Sequence, residues 1–196
     1  MRKEKQKELN KYIVELKTKR KKFIDKYSTF LSVERYKCSL NNGHSIIREK
    51  LLKDNKNGNA VIVCPITKCG SVILTVQPRV FTKSTVGISF PAGYVEKGEK
   101  YKTAALRELQ EETGYTSNNL IEVATYYQDD GVGCALNKCY VALDCYKVSE
   151  QKLDESEFIR YFECQVDEML ELYKKGYILD GGSQLALEKL VKLLNL

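Results

Sequence analysis

The chain has 196 residues, 43% apolar and 30% charged, which suits one substantial globular domain with a small appendage and excludes a low-complexity polymer. No run approaches the roughly eighteen consecutive apolar residues of a membrane span, and the opening MRKEKQKELNKYIVELKTKRKK lacks the apolar stretch of a secretory signal, so a cytoplasmic protein without a membrane partner is expected. The net charge of +6 is uneven: residues 1–26 hold eleven Lys or Arg against four Asp or Glu, and the other 170 residues sum to −1.

In chain order, residues 5–27 place Leu9, Tyr12, Ile13, Leu16, Phe23, Ile24 and Tyr27 near helical spacing among lysines, which predicts an amphipathic basic helix. Residues 29–52 predict a β-hairpin turning at Asn41-Asn42-Gly43. After the polar stretch KDNKNGN come two strands, AVIVCPIT and SVILTVQ, joined across Lys68-Cys69-Gly70. VGISFPAG then leads into a helix over residues 101–113 that stops at Gly114, where a left-handed cap would sit. Two more strands, IEVATYYQ and ALNKCYVALDCYKV, flank the turn DDGVG; EFIRYFEC is a short strand before helices near 166–175 and 183–194. The mixture shows no regular βαβ repeat, so the expected class is α+β with a mixed sheet. The expected organisation is an N-terminal helix and hairpin over 1–56 and a main domain over 57–196.

Seven cysteines include no CxxC pair, and most lie in apolar strand-like sequence, as reduced buried thiols do. His44 is the only histidine, which excludes Ser-His triads and histidine-based metal sites. The chemistry therefore falls to the acidic helix. At about 100° per residue, Ala105, Leu106 and Leu109 share an arc expected to face a core, and Glu108, Glu111 and Glu112 fall on the opposite arc. Arg107 lies one turn before Glu111 and is placed to brace it. Like charges at these spacings repel; a hard divalent cation with oxygen ligands reverses that, and magnesium suits a few carboxylates that leave room for water and phosphates. The loop before the helix, SFPAGYVEKGE, has glycines that allow close backbone approach, and the Ala92 carbonyl is a further candidate ligand.

Read together, Gly93, five residues, Glu99, seven residues, then Arg107-Glu108-Leu109-Gln110-Glu111-Glu112-Thr113-Gly114-Tyr115 resembles the signature of the Nudix hydrolase family. The resemblance implies a mixed β-sheet between helices, and cleavage of a diphosphate linked to another moiety with magnesium or manganese. It implies metal binding by Glu108, Glu111, Glu112 and the Ala92 carbonyl, an orienting role for Arg107, and a loop-holding role for Glu99 in a substrate loop with Gly93. The flanks look like the ADP-ribose and nucleoside-diphosphate-sugar pyrophosphatases. That likeness implies a homodimer through the N-terminal β segment and a general base in LDESEF, Glu157 or Glu155. It also places Arg48 and Arg79 near substrate phosphates. The region YYQDDGVGCALNK departs from the ADP-ribose group in having no proline before its glycine. Two other readings are a Nudix enzyme acting on capped RNA, for which residues 1–26 lack base-stacking aromatics, and a non-catalytic nucleotide sensor.

Overall fold

The computed structural model describes residues 18–27, 30–79, 81–83 and 85–195, arranged as two compact units. The first comprises the described chain up to Gly58 together with Gln128–Ala135. Its framework is a three-stranded antiparallel sheet of β1 (Thr18–Tyr27), β2 (Leu31–Leu40) and β3 (Ser45–Lys53). The β2–β3 hairpin keeps one continuous register from Leu31 opposite Lys53 to Ser39 opposite Ser45, and turns where the Asn-Asn-Gly sequence predicts. The segment 128–135 is stitched on: the Leu51 amide donates to the Val132 carbonyl at 2.7 Å, and Lys53 Nζ to Gln128 Oε1 at 2.9 Å. Among its described residues, Cys38, Leu52 and Ala135 are buried apolar side chains.

One expectation is corrected in this unit. The predicted helix over 5–27 lies outside the described residues up to 17, and from Thr18 it is a strand paired with β2, Thr18 opposite Leu40 and Tyr27 opposite Val33. Helical propensity is a weak preference, and the free edge of β2 offers a ladder of backbone bonds that outweighs it. Lysine-rich sequence is also what a sheet edge tolerates.

The second unit comprises Asn59–Tyr127 and Leu136–Leu196. Its strands are β4 (Ala60–Thr67), β5 (Val72–Pro78), β6 (Val86–Ser89), β7 (Ala92–Tyr94), β8 (Tyr115–Thr116), β9 (Asn119–Tyr127), β10 (Leu136–Lys147) and β11 (Arg160–Cys164). They form one mixed sheet in the order β11-β5-β4-β10-β8, with β6 on β5, β7 on β4 and β9 on β10. β4 and β10 run parallel; the other pairs are antiparallel. Three helices follow the sequence expectations closely: α1 (Tyr101–Thr113), α2 (Val166–Lys174) and α3 (Gly181–Leu193).

Alternation along β4 sorts its side chains to two faces. Ile62, Cys64 and Ile66 pack with Phe90, Val141, Met169, Ile178, Leu187 and Leu190, the side covered by α2 and α3. Val61 and Val63 pack with Ala104, Ala105, Leu109, Tyr140 and Ala142, the side covered by α1. The unit is thus the expected mixed sheet between helices. None of the seven cysteines is in a disulfide, and five are buried. Among the described residues no helix is long and apolar enough to cross a membrane.

Candidate active site

α1 is sharply ended. Its C-terminus stops at Gly114, whose φ of 78° is left-handed and whose amide donates to the Gln110 carbonyl. A side chain there would also collide with the Ser149 carbonyl, so glycine is required twice over. The buried face of the helix is Ala104, Ala105, Glu108, Leu109, Glu112 and Thr113. This corrects the expected arcs. Glu108 and Glu112 are not opposite the core; they lie on the face turned to the sheet, beside Ala105, and Leu106 is half-buried. One helical arc, roughly 140° wide, holds both apolar and acidic side chains.

Gly93 explains how a carboxylate fits there. It lies on β7 opposite Val61 of β4, and a Cβ at this position would fall on the Glu108 carboxyl group. The neighbouring amide, of Ala92, donates to Glu112 Oε2 at 3.1 Å. The Pro91 carbonyl is taken by the Val63 amide at 2.9 Å, and Phe90 N donates to Ser183 Oγ of α3 at 3.0 Å, so the segment leading into this loop is fixed both to β4 and to α3.

Arg107 organises the rest. Nε and Nη2 grip Glu99 Oε1 and Oε2, both at 3.0 Å; Nη2 also donates to the Tyr94 carbonyl at 2.9 Å, and Nη1 donates to Glu108 Oε1 and Glu111 Oε2, each at 2.9 Å. All five guanidinium N–H groups are committed. Arg107, expected to orient a carboxylate, spans the loop and the helix. Glu99 has both oxygens on Arg107 and accepts from the Glu96 amide at 3.0 Å, so it holds the loop closed. The guanidinium beside it keeps Glu99 below the usual carboxylate range.

The two buried glutamates are electrostatically expensive. Burial pushes Glu108 up to about 7 against the pull of Arg107, with Glu111 and Glu157 adding to the rise. Burial pushes Glu112 up to about 8, helped by the Glu108 and Glu157 charges and opposed by the Ala92 amide and Arg79. Two adjacent carboxylates with a fully spent guanidinium lack positive charge, and oxygen donors of this kind suit a hard divalent cation. Among the described residues no three His, Cys, Asp or Glu side chains are grouped closely enough to enclose an ion by themselves. An open site of two carboxylates, with Glu111 turned to Arg107 and the Ala92 main chain alongside, fits a cation that shares its ligands with water and substrate.

The other expected residues divide. Glu157 is half-buried and its charge reaches Glu108 and Glu112. Its Oε2 accepts from the Asp154 amide at 3.0 Å. Glu155 is exposed in the same turn. Arg79, exposed at the end of β5, acts electrostatically on Glu112. Arg48 belongs to the first unit, on β3 opposite Tyr36, and its Nη1 donates to the Ile47 carbonyl at 2.9 Å. Sequence reasoning missed Gln151, whose Nε2 donates to the Glu112 carbonyl at 2.5 Å. A lone glutamine in a loop carries no spacing signal that would have found it.

Comparisons with known proteins bear on the family and the fold. The NUDIX domain family profile matches residues 56–180. ADP-ribose pyrophosphatase of Bacillus subtilis (strain 168) is 32% identical over 136 residues, 69% of this chain and 73% of that protein. Methanol dehydrogenase activator of Bacillus methanolicus is 32% identical over 152 residues, 77% of this chain and 80% of that protein. ADP-ribose pyrophosphatase of Saccharomyces cerevisiae is 38% identical over 109 residues, 50% of this chain and 47% of that protein. A crystal structure of ADP compounds hydrolase has a TM-score of 0.75, covers 91% of this chain and 96% of its own, and is 23% identical, a likeness of fold.

Proposed function

The chain belongs to the Nudix family, and we propose that this Nudix pyrophosphatase hydrolyses the diphosphate bond of ADP-ribose or a related nucleoside diphosphate sugar to a nucleoside monophosphate and a sugar phosphate. The observation that carries the reading is the buried Glu108–Glu112 pair, seated against Gly93 and Ala92 and within reach of the Glu157 charge. A non-catalytic sensor would need no such costly pair.

Glu108, Glu112, Glu111 and the Ala92 carbonyl are the groups that would hold the divalent cation, magnesium with manganese as a substitute. When bound, the cation supplies positive charge to the diphosphate oxygens during in-line displacement. The chain's own residues do the rest. Glu157 accepts the proton of the attacking water; water oxygen bonds to one phosphorus as that phosphorus releases the bridging oxygen, and the second phosphate departs with its sugar. Arg79 offers a guanidinium to a phosphate. Arg107 and Glu99 keep the loop and helix in register while this happens. For ADP-ribose the products are AMP and ribose 5-phosphate.

The proposal extends to a cytoplasmic homodimer, joined through the N-terminal sheet, whose second copy is its protein partner; the free thiols fit a reducing compartment. Sedimentation of the full chain tests the dimer. The activity is tested with a panel of nucleoside diphosphate compounds, scored for released phosphomonoester with and without magnesium. ADP-ribose should rank high in magnesium, and Glu112→Gln should abolish the magnesium-dependent rate. Unchanged turnover in that variant overturns the ligand assignment.

A further inference from the structure

The segment carrying Glu157 leaves the sheet after Lys147 and rejoins it at Arg160, and residues 148–159 form no helix or strand. A loop of that length samples many conformations unless it is tied down, and each would carry Glu157 to a different place. Three attachments to the end of α1 restrict it. The amides of Val148 and Ser149 donate to the Gly114 carbonyl at 2.8 and 3.2 Å, and the Lys152 amide donates to the Glu111 carbonyl at 2.8 Å. These are main-chain bonds, and they fix the entering limb.

A fourth attachment is a side chain, and it reaches both limbs. Gln151 Nε2 donates to the Glu112 carbonyl at 2.5 Å and to the Ile159 carbonyl at 3.4 Å. One N–H therefore goes to the last turn of the helix that bears Glu108 and Glu112. The other goes to a residue two positions beyond Glu157. The Ile159 side chain is buried, which anchors the returning limb by packing, and the amide bond sets where its main chain runs. Between these ties, the hydrogen bonds of Glu157 are local to the turn: its amide donates to the Asp154 carbonyl at 2.9 Å, and its carboxylate accepts from the Asp154 amide. The turn is thus a rigid piece whose height above α1 is set at Gln151 and Ile159.

We infer that Gln151 is a positioning residue for the reaction, its side-chain amide clamping the returning limb of the 148–159 loop to the last turn of α1 so that Glu157 is held over the Glu108–Glu112 pair. The inference rests on the reading of Glu157 as general base. Its consequence is specific: loss of the clamp costs turnover through Glu157 and not through folding or substrate capture.

The test uses Gln151→Met, which keeps the length of the side chain without its donors, and Gln151→Ala, each alone and combined with Glu157→Gln. In magnesium with ADP-ribose, each single variant should lower kcat on the order of 10- to 100-fold, the size expected of a base displaced by about an ångström, with KM changed by less than about threefold. In the Glu157→Gln background the same substitutions should cost nothing further. Amide hydrogen exchange without substrate should rise across residues 152–159 in both variants and stay unchanged within α1. An equal loss of kcat with and without Glu157, or unchanged exchange in the loop, overturns the inference while leaving the base assignment standing. Full turnover in Glu157→Gln alone overturns the base assignment, and the inference with it.

Discussion

The carboxyl group of Glu108 comes to rest against the bare Cα of Gly93, in the space a side chain there would need: a methyl group at residue 93 would collide with that carboxyl. Two positions fifteen residues apart, one on a strand and one on a helix, are thereby fixed as a pair. Gly93→Ala should destabilise the protein by about 1–3 kcal/mol, the usual cost of overpacking, and remove activity. Urea unfolding checks the first and phosphomonoester release the second. In a Glu108→Ala background the same substitution should cost little stability.

Replacing Arg107 strips a guanidinium from Glu99, Glu108 and Glu111 at once. Arg107→Ala should lose about 1–3 kcal/mol of stability, the scale of charge-assisted hydrogen bonds in a half-buried ion-pair network. Arg107→Lys should recover less than half of that, because an ammonium group cannot supply the planar fork that grips both Glu99 oxygens. Chemical denaturation of the three proteins side by side gives the answer.

The Arg107–Glu99 pair also sets an acid limb. Glu99 titrates in the folded protein below its unfolded value of 4.5, because the guanidinium favours its charged form. Its contribution is thus complete above that value and is lost as pH falls through the folded one. Stability measured from pH 6 down to about pH 3 should fall less steeply in Glu99→Gln than in the parent. A parallel pair of curves would deny Glu99 this role.

A cation that binds the folded pair of glutamates must stabilise the fold. Magnesium at a hundred times its dissociation constant should add about 2.7 kcal/mol, seen as a raised unfolding midpoint, and Glu112→Gln should abolish the shift. Excess chelator should return the parent protein to its starting midpoint.

Glu157→Gln should lower turnover by about two orders of magnitude or more, with Glu155→Gln near the parent rate, since the Glu157 charge acts on the buried glutamates and Glu155 is exposed. Steady-state rates for the two variants decide between them.

Much of this arrangement is written locally and could be read from the residues. The limits of α1 and its left-handed stop at Gly114 are set by neighbours in sequence, as are the Asn-Asn-Gly turn and the alternation of β4. What failed depended on distant partners. Residues 18–27 have a spacing that fits a helix, and they are extended because β2 has an open edge to fill. The glutamates were set on a solvent face because burying carboxylates is costly, although 100° per residue already puts Glu112 within about 20° of Ala105; what makes their burial tolerable, the Gly93 notch and the Ala92 amide, is not visible in a helical projection. Gln151 was unreadable for the same reason, its partners being main-chain carbonyls whose positions the fold decides.

The parallel alignment of β4 with β10 has a consequence for how the protein is made. Ala60 and Asn137, hydrogen-bonded neighbours at one end of that alignment, are 77 positions apart in the chain. On a ribosome, β4 must wait at the middle of its sheet until β10 emerges, its apolar flank meanwhile open to whatever is nearby. Such distant pairing slows folding, so newly synthesised chains should be most in need of chaperones in that interval, well before the last helices appear.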